Sequence, residues 1–282
     1  MIYCISEIVL PAAALGVLGA LAAVLLCVVV KRFAVVEDDR IGMVEELLPG
    51  ANCGACGLLG CHDFAVECVR RGGPDGIVCP GAGDEKMRQI AGVFGKDGAG
   101  SAARNIAVVG CGGAYARRFP AAIYSGPKLC RIESRIGSGP MSCSYGCLGC
   151  GDCTSVCPFG AIGIDPASRL PLVDEDRCTG CGKCVEACPR KLISLRPQGP
   201  KGRRVWVGCS NRQRGAVARK GCSVACIGCG KCVRTCPFGA VEVRDNLAVI
   251  DPAKCRLCRK CVAACPTGAI KTSNFPASVS DQ

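Results

Sequence analysis

Two stretches decide the fold: CIGCGKCVRTCP at residues 226–237 and CRLCRKCVAACP at residues 255–266. Each is C-x2-C-x2-C-x3-C-P, the run that holds [4Fe–4S] clusters in two-cluster bacterial ferredoxins. In that arrangement the fourth Cys of each run ligates the cluster of the other. Cys226, Cys229, Cys232 and Cys265 are thus expected around one cluster, and Cys255, Cys258, Cys261 and Cys236 around a second. Two-residue gaps let a tight loop place three thiolates on three iron corners, and the Pro after the last Cys turns the chain away. Tandem zinc sites more often show pairs of CxxC or added His.

The runs recur upstream. Cys147, Cys150, Cys153 and Cys157-Pro158 are followed by Cys178, Cys181, Cys184 and Cys188-Pro189, a second two-cluster unit. The repeat is longer than the runs. Cys130-x12-Cys143-x3-Cys147 matches Cys209-x12-Cys222-x3-Cys226 at an offset of 79 residues, and AVVGCGG echoes VWVGCSN. AIGID, LISLR, AVEVR and AIKTS alternate like short strands, and RDNLAVID reads as a turn and return strand. Cys143 competes with Cys150, and Cys222 with Cys229, for a place on a cluster. Spacing favours Cys150 and Cys229. Cys111, Cys130, Cys209 and the remaining spare are either buried thiols or the ligands of an additional cluster.

Nearer the N-terminus, LPGANCGACGLLGC places Cys53, Cys56 and Cys61 together, with Cys79-Pro80 after a further seventeen residues. Three clustered Cys and one distant Cys-Pro again suit one cubane. Gly54, Gly57 and Gly60 free the backbone to wrap it. Cys68 is spare and reads as a buried thiol. The lone His62 reads as an exposed helix residue. Before this module, Ile8–Val30 carries no charge and is long enough as a helix to cross a bilayer. Lys31 and Arg32 follow it, which places the N-terminus outside and the bulk in the cytoplasm. Ala12, Gly16 and Ala20 recur every four residues, spacing that admits a neighbouring helix.

The chain has 282 residues, 28 Cys and a formal charge of +12. Aromatic residues are 4%, too few for large apolar cores. Ligated cubanes carry about −2 each, so five of them would bring the protein near neutrality, and the basic balance does not by itself imply nucleic acid. Ala187–Val241 has twelve Lys or Arg and no Asp or Glu. Such a face would attract an acidic redox partner, balance the clusters, or meet anionic lipid.

Together these features resemble the B subunit of the Rnf-type ferredoxin:NAD oxidoreductase complex. The resemblance implies a bacterial cytoplasmic-membrane assembly that accepts electrons from reduced ferredoxin and couples their transfer toward NAD to Na⁺ or H⁺ export. It implies other membrane subunits and a soluble acidic ferredoxin as partners. It matches Cys53, Cys56, Cys61 and Cys79 to the anchor-proximal cluster. It also favours Cys143 as a ligand, because the position of Cys150 is often not Cys in longer members. No Gly-rich phosphate loop follows a strand, so NAD chemistry belongs to partners.

The expected fold is α+β, in six parts: a transmembrane anchor at 1–32, a single-cluster domain at 33–94, and a linker at 95–105. Two-cluster ferredoxin-like units follow at 106–200 and 201–273, with a disordered tail at 274–282. The expected function is electron transfer through about five [4Fe–4S] clusters, possible ligands for a sixth being present, with no bond-making site. The alternatives are an electron donor to a redox-sensing regulator, or a zinc-stabilised scaffold.

Overall fold

In a computed structural model, residues 2–32, 37–96, 104–137 and 139–276 are described, with side chains from residue 15 onward. Most of the expected linker (97–103) and of the expected tail (277–282) lies outside the described residues. Helix α1 spans Ile2–Arg32. Its segment Leu15–Arg32 has mean hydropathy 2.2 and none of it is buried against the rest of the chain. Apolar side chains presented outward on every face fit a lipid solvent rather than water.

A three-helix module follows: α2 (Asp39–Leu47), α3 (Cys61–Arg71) and α4 (Gly83–Val93). Asp38 caps α2 by accepting from Arg40 N–H at 3.0 Å. Ile41, Val44, Leu48, Phe64, Met87 and Ile90 form the core. Cys68 lies among them with no exposure, and burial pushes its thiol up to about 12. It is a packed, protonated side chain. His62 stands on the open face of α3, 3.3 Å from Glu45, which raises its pKa.

The remaining elements form two units of the same plan. In the first, β1 (Asn105–Val109) pairs antiparallel with β4 (Ile193–Pro197), and β2 (Ile162–Ile164) pairs with β3 (Pro171–Val173). Short helices α5 (Cys130–Ile136), α6 (Asp152–Ser155) and α7 (Lys183–Ala187) lie between them. In the second unit, β5 (Arg204–Val207) pairs with β8 (Ile270–Ser273), and β6 (Val241–Arg244) with β7 (Leu247–Ile250). Its helices are α8 (Gly215–Gly221), α9 (Lys231–Thr235) and α10 (Lys260–Ala263). The strand-like segments after each run are β2, β4, β6 and β8. The strands AVV and VWV, whose echo marked the repeat, are the first strands that pair with the last of each unit.

The two cores are small. Ile106, Ile162 and Ile193 with Ala107 and Ala161 fill one. Val205, Val241, Ile250 and Ile270 with Ala248 and Ala269 fill the other. In both, the cysteines occupy the rest of the interior. The units are joined by polar contacts: Trp206 Nε1 donates to Val109 O at 3.0 Å, and Arg196 to Ile250 O at 2.6 Å. Arg204, only 3% exposed, pairs with Glu175. This corrects the picture of one continuous basic face: Arg204 is an interior strut, and the exposed cations of that stretch are Lys191, Lys201, Arg212, Arg214, Arg219, Lys220, Lys231 and Arg234.

Candidate metal centres

Each Cys run forms a loop that enters a short helix at a left-handed residue. Gly151, Gly182, Gly230 and Arg259 hold φ of 92°, 84°, 70° and 60° just before α6, α7, α9 and α10. The third Cys of each run, Cys153, Cys184, Cys232 or Cys261, sits in the first turn of that helix. The following Cys-Pro lets the chain turn back toward the sheet.

In the second unit, Cys226, Cys229, Cys232 and Cys265 line one pocket, walled by Val207, Val243, Ala248 and Ile270. Three Cys come from one run and the fourth from the other, the sharing expected from the spacing. Cys236, Cys255 and Cys258 lie near Cys261, whose thiol burial pushes up to about 11, with further upward pressure from those three. In the first unit, Cys157, Cys178, Cys181 and Cys184 line a pocket of the same kind.

Another pocket of the first unit departs from the spacing. It is lined by Cys147, Cys153 and Cys188 as expected, but the fourth is Cys130, at the start of α5. Cys150 lies beside Cys130 but does not line this cavity; it donates to Glu133 Oε2 at 3.2 Å, and Glu133 itself is 3% exposed. Asp152 holds Cys130 in place by accepting from its N–H at 2.8 Å. Cys143, the other candidate, lies away from this cavity, beside Cys222 and Asn211. No spacing rule marks Cys130, because its partner at the 79-residue offset, Cys209, does not line the corresponding cavity.

In the N-terminal module, Cys53 and Cys56 sit on the loop before α3, Cys61 opens that helix, and Cys79 precedes α4. Cys79 feels Cys56 and Cys53 through their charge, although burial is the larger cause of its raised pKa. Asn52, at φ 43°, accepts from Cys61 N–H at 2.7 Å and so ties the loop to the helix. A side chain at Gly60 would meet that Asn52 oxygen at 2.8 Å.

The donor sets fit cubane clusters. All four positions of each set are sulfur, the walls are apolar, and backbone N–H groups point at the sulfurs. Ala161, Leu192 and Ala269 each donate to the Cys four residues before, Cys157, Cys188 and Cys265, at 3.3, 3.4 and 3.3 Å. Ala248 N–H reaches Cys226 at 3.5 Å. Such bonds favour thiolate and tune a cluster's potential. At Cys265 they outweigh burial: burial alone would raise its pKa, but N–H groups of Thr267, Ala269 and Ile270 and the Thr267 hydroxyl bring it below the usual thiol value. Elsewhere burial prevails and pushes Cys147 and Cys153 up to about 12. Ligation there must release protons. Among the described residues no three Cys, His, Asp or Glu side chains converge on a single ion.

The family described as "4Fe-4S dicluster domain" matches residues 146–192 and 225–269, and "Putative Fe-S cluster" matches residues 48–76. The chain is 43% identical over 253 residues to the B subunit of the Na(+)-translocating ferredoxin:NAD(+) oxidoreductase complex of Acetobacterium woodii, covering 89% of this chain and 74% of that protein. It is 41% identical over 240 residues to the B subunit of the proton-translocating ferredoxin:NAD(+) oxidoreductase complex of Clostridium ljungdahlii, covering 85% and 82%. It is 36% identical over 243 residues to the B subunit of the ion-translocating oxidoreductase complex of Methanosarcina acetivorans, covering 86% and 90%.

Proposed function

Since the chain belongs to the family of B subunits of ion-translocating ferredoxin:NAD(+) oxidoreductase complexes, Rnf complexes, we propose a division of labour within such a complex. The chain is the iron–sulfur electron-transfer subunit, and the oxidoreductase and translocase activities belong to the whole assembly. It accepts electrons from a reduced, acidic ferredoxin and passes them singly to the other subunits. Helix α1 anchors it in the membrane, with Lys31 and Arg32 on the cytoplasmic side and residues 33–282 beyond them.

Five centres take the ligand sets described above: Cys53, Cys56, Cys61 and Cys79; Cys147, Cys153, Cys188 and Cys130; Cys157, Cys178, Cys181 and Cys184; Cys226, Cys229, Cys232 and Cys265; Cys236, Cys255, Cys258 and Cys261. When bound, the clusters supply one-electron chemistry. The chain's residues hold them, exclude water with Val, Ile and Ala walls, and set their potentials through N–H···S bonds. The observation that carries this reading is the sharing of Cys between runs around these pockets.

The test is full-length protein in detergent, purified without air and titrated with reduced ferredoxin. About twenty or more iron per chain, matching sulfide, and visible bleaching on reduction are expected. Zinc with little sulfide, or iron centres that reduced ferredoxin leaves unchanged, would overturn the reading.

A further inference from the structure

We infer that Cys111, Cys143, Cys209 and Cys222 hold a sixth cubane iron–sulfur centre at the seam between the two ferredoxin-like units. The inference rests on the reading that the other Cys sets hold such clusters.

The four residues lie on four segments that the fold brings together. Cys111 follows β1 and Cys209 follows β5. These two loops run side by side: Gly112 N–H donates to Gly208 O at 2.7 Å, and the Ser210 hydroxyl to Gly110 O at 2.9 Å. Cys222 bridges to Arg118, and Ser223 N–H donates to Arg117 O at 3.1 Å. A Cβ placed on Gly221 would lie 3.6 Å from Cys143 Cα, and one on Gly113 would meet Cys222 Sγ at 2.9 Å. Gly113 therefore keeps the approach to the Cys222 sulfur open.

Each sulfur is served by an N–H donor. Cys147 N–H reaches Cys111 Sγ at 3.4 Å, and the amide of Asn211, 1% exposed, reaches Cys143 Sγ at 3.7 Å. The N–H groups of Cys226 and Asn211 serve Cys209, and that of Val224 serves Cys222. Cys143 and Cys222 are buried and Cys111 and Cys209 half-buried, and thiols packed there as ordinary apolar residues would need no such donors.

The second observation is Arg118. It is 6% exposed, it forms no salt bridge among the described residues, and its Nε has no hydrogen-bond partner. Its other contact is a bond from NH1 to Cys147 O. A buried, unpaired guanidinium costs several kcal/mol. Its side chain lies beside Gly113 and Gly146, against Cys222 and Cys147. A four-thiolate centre with net negative charge would supply the missing counter-charge. Each thiol gives up its proton as its sulfur takes iron, so the balance needs only iron and sulfide, as at the other sites.

The placement has a consequence for electron flow. Cys111 touches the loop of Cys147, a member of the Cys130 set, and Cys209 touches that of Cys226. A centre here would link a cluster of the first unit to one of the second. Six sets of four would use all but four of the 28 cysteines: Cys4, Cys27, Cys68 and Cys150.

The experiment measures iron, sulfide and zinc per chain on anaerobic full-length protein, as wild type, Cys143→Ser/Cys222→Ser and Cys150→Ser. About 24 iron and sulfide in wild type and Cys150→Ser, and about 20 in the double variant with one cubane signal lost by Mössbauer spectroscopy, are expected. About 20 in wild type, zinc in place of the missing iron, or an unchanged double variant would overturn the sixth centre while leaving the electron carrier intact. Should the double variant lose far more than four iron through misfolding, the wild-type and Cys150→Ser counts decide. Near-absence of iron from every sample would remove the electron-carrier reading first and this inference with it.

Discussion

At the scale of single residues, Cys130 and Cys150 show what spacing can and cannot carry. The run Cys147–Cys157 reads as complete, yet Cys150 donates to buried Glu133 while Cys130 lines the cavity. Cys130→Ser should therefore remove about four iron per chain and one cubane signal, whereas Cys150→Ser should remove none; iron analysis on the two variants decides. Most of the proposed ligand positions were legible in the sequence because cubane geometry imposes short gaps. Cys130 was not, because what brings it in is a tertiary bond, Asp152 to its N–H. Glu175 was equally silent. Burial would raise its pKa, but the Ser273 hydroxyl, Arg204 and Asn274 together hold it below the usual carboxylate value. A depressed carboxylate contributes stability above its unfolded pKa of about 4.3 and loses it as pH falls through the folded value. Arg204 is the more buried partner, and its Nε and one terminal nitrogen lack partners. Glu175→Gln thus strands a buried cation and should cost about 3 kcal/mol or more. Adding Arg204→Met should restore part of that loss, and both variants should lack the wild type's loss on acidification. Thermal melts between pH 3 and 7 would show it.

At the scale of elements, the strands after each Cys run were legible from alternation, and the two-residue β6–β7 turn from its Asp-Asn pair. Asp245 and Asn246 hold φ of 48° and 61°, the left-handed pair such a hairpin requires. The strand partners were less so. Nothing local says that β1 pairs with β4 across the whole unit, because that pairing is fixed by the wrapping of both runs between them. One repeated contact shows how runs and hairpins are held in register. Gly228 (φ 64°) packs against Asn246, where a Cβ would lie 2.8 Å from the carbonyl oxygen. Gly149 (φ 77°), at the 79-residue offset, packs against Arg169 at the same 2.8 Å. Gly239 (φ 59°) has open space around it. Gly239→Ala should then cost only the left-handed strain, about 1 kcal/mol. Gly228→Ala must also push the hairpin off the Cys loop, so it should lower the melting temperature further and reduce iron by about four per chain. Equal effects of the two substitutions would separate hairpin contact from cluster retention.

At the scale of the molecule, exposure marks where electrons can enter. Cys229 and Cys258 are exposed, while Cys226, Cys232 and Cys261 on the same two sets are buried. Each exposed corner has exposed cations beside it in sequence: Lys231 and Arg234 near Cys229, and Arg256 and Lys260 near Cys258. The acid-free stretch was legible as a basic region, but its reach was not. Arg204 turns inward, and Arg212 is paired with Asp245 at 2.9 Å. An acidic ferredoxin would be drawn to the free cations at long range, and that attraction is screened over about 10 Å at 0.1 M salt. Lys231→Glu/Arg234→Glu should slow reduction of the protein by ferredoxin several-fold at low ionic strength, with the difference shrinking as salt rises. Stopped-flow reduction at two salt concentrations measures it, with iron content as the check that the neighbouring cluster remains. Slowing that is the same at both concentrations would mean the cations act on the cluster itself and not on the encounter. Arg219→Glu/Lys220→Glu, on α8, gives the comparison: an equal salt-dependent effect there would make the whole basic surface the docking face, and a smaller one would confine it to the Cys229 corner.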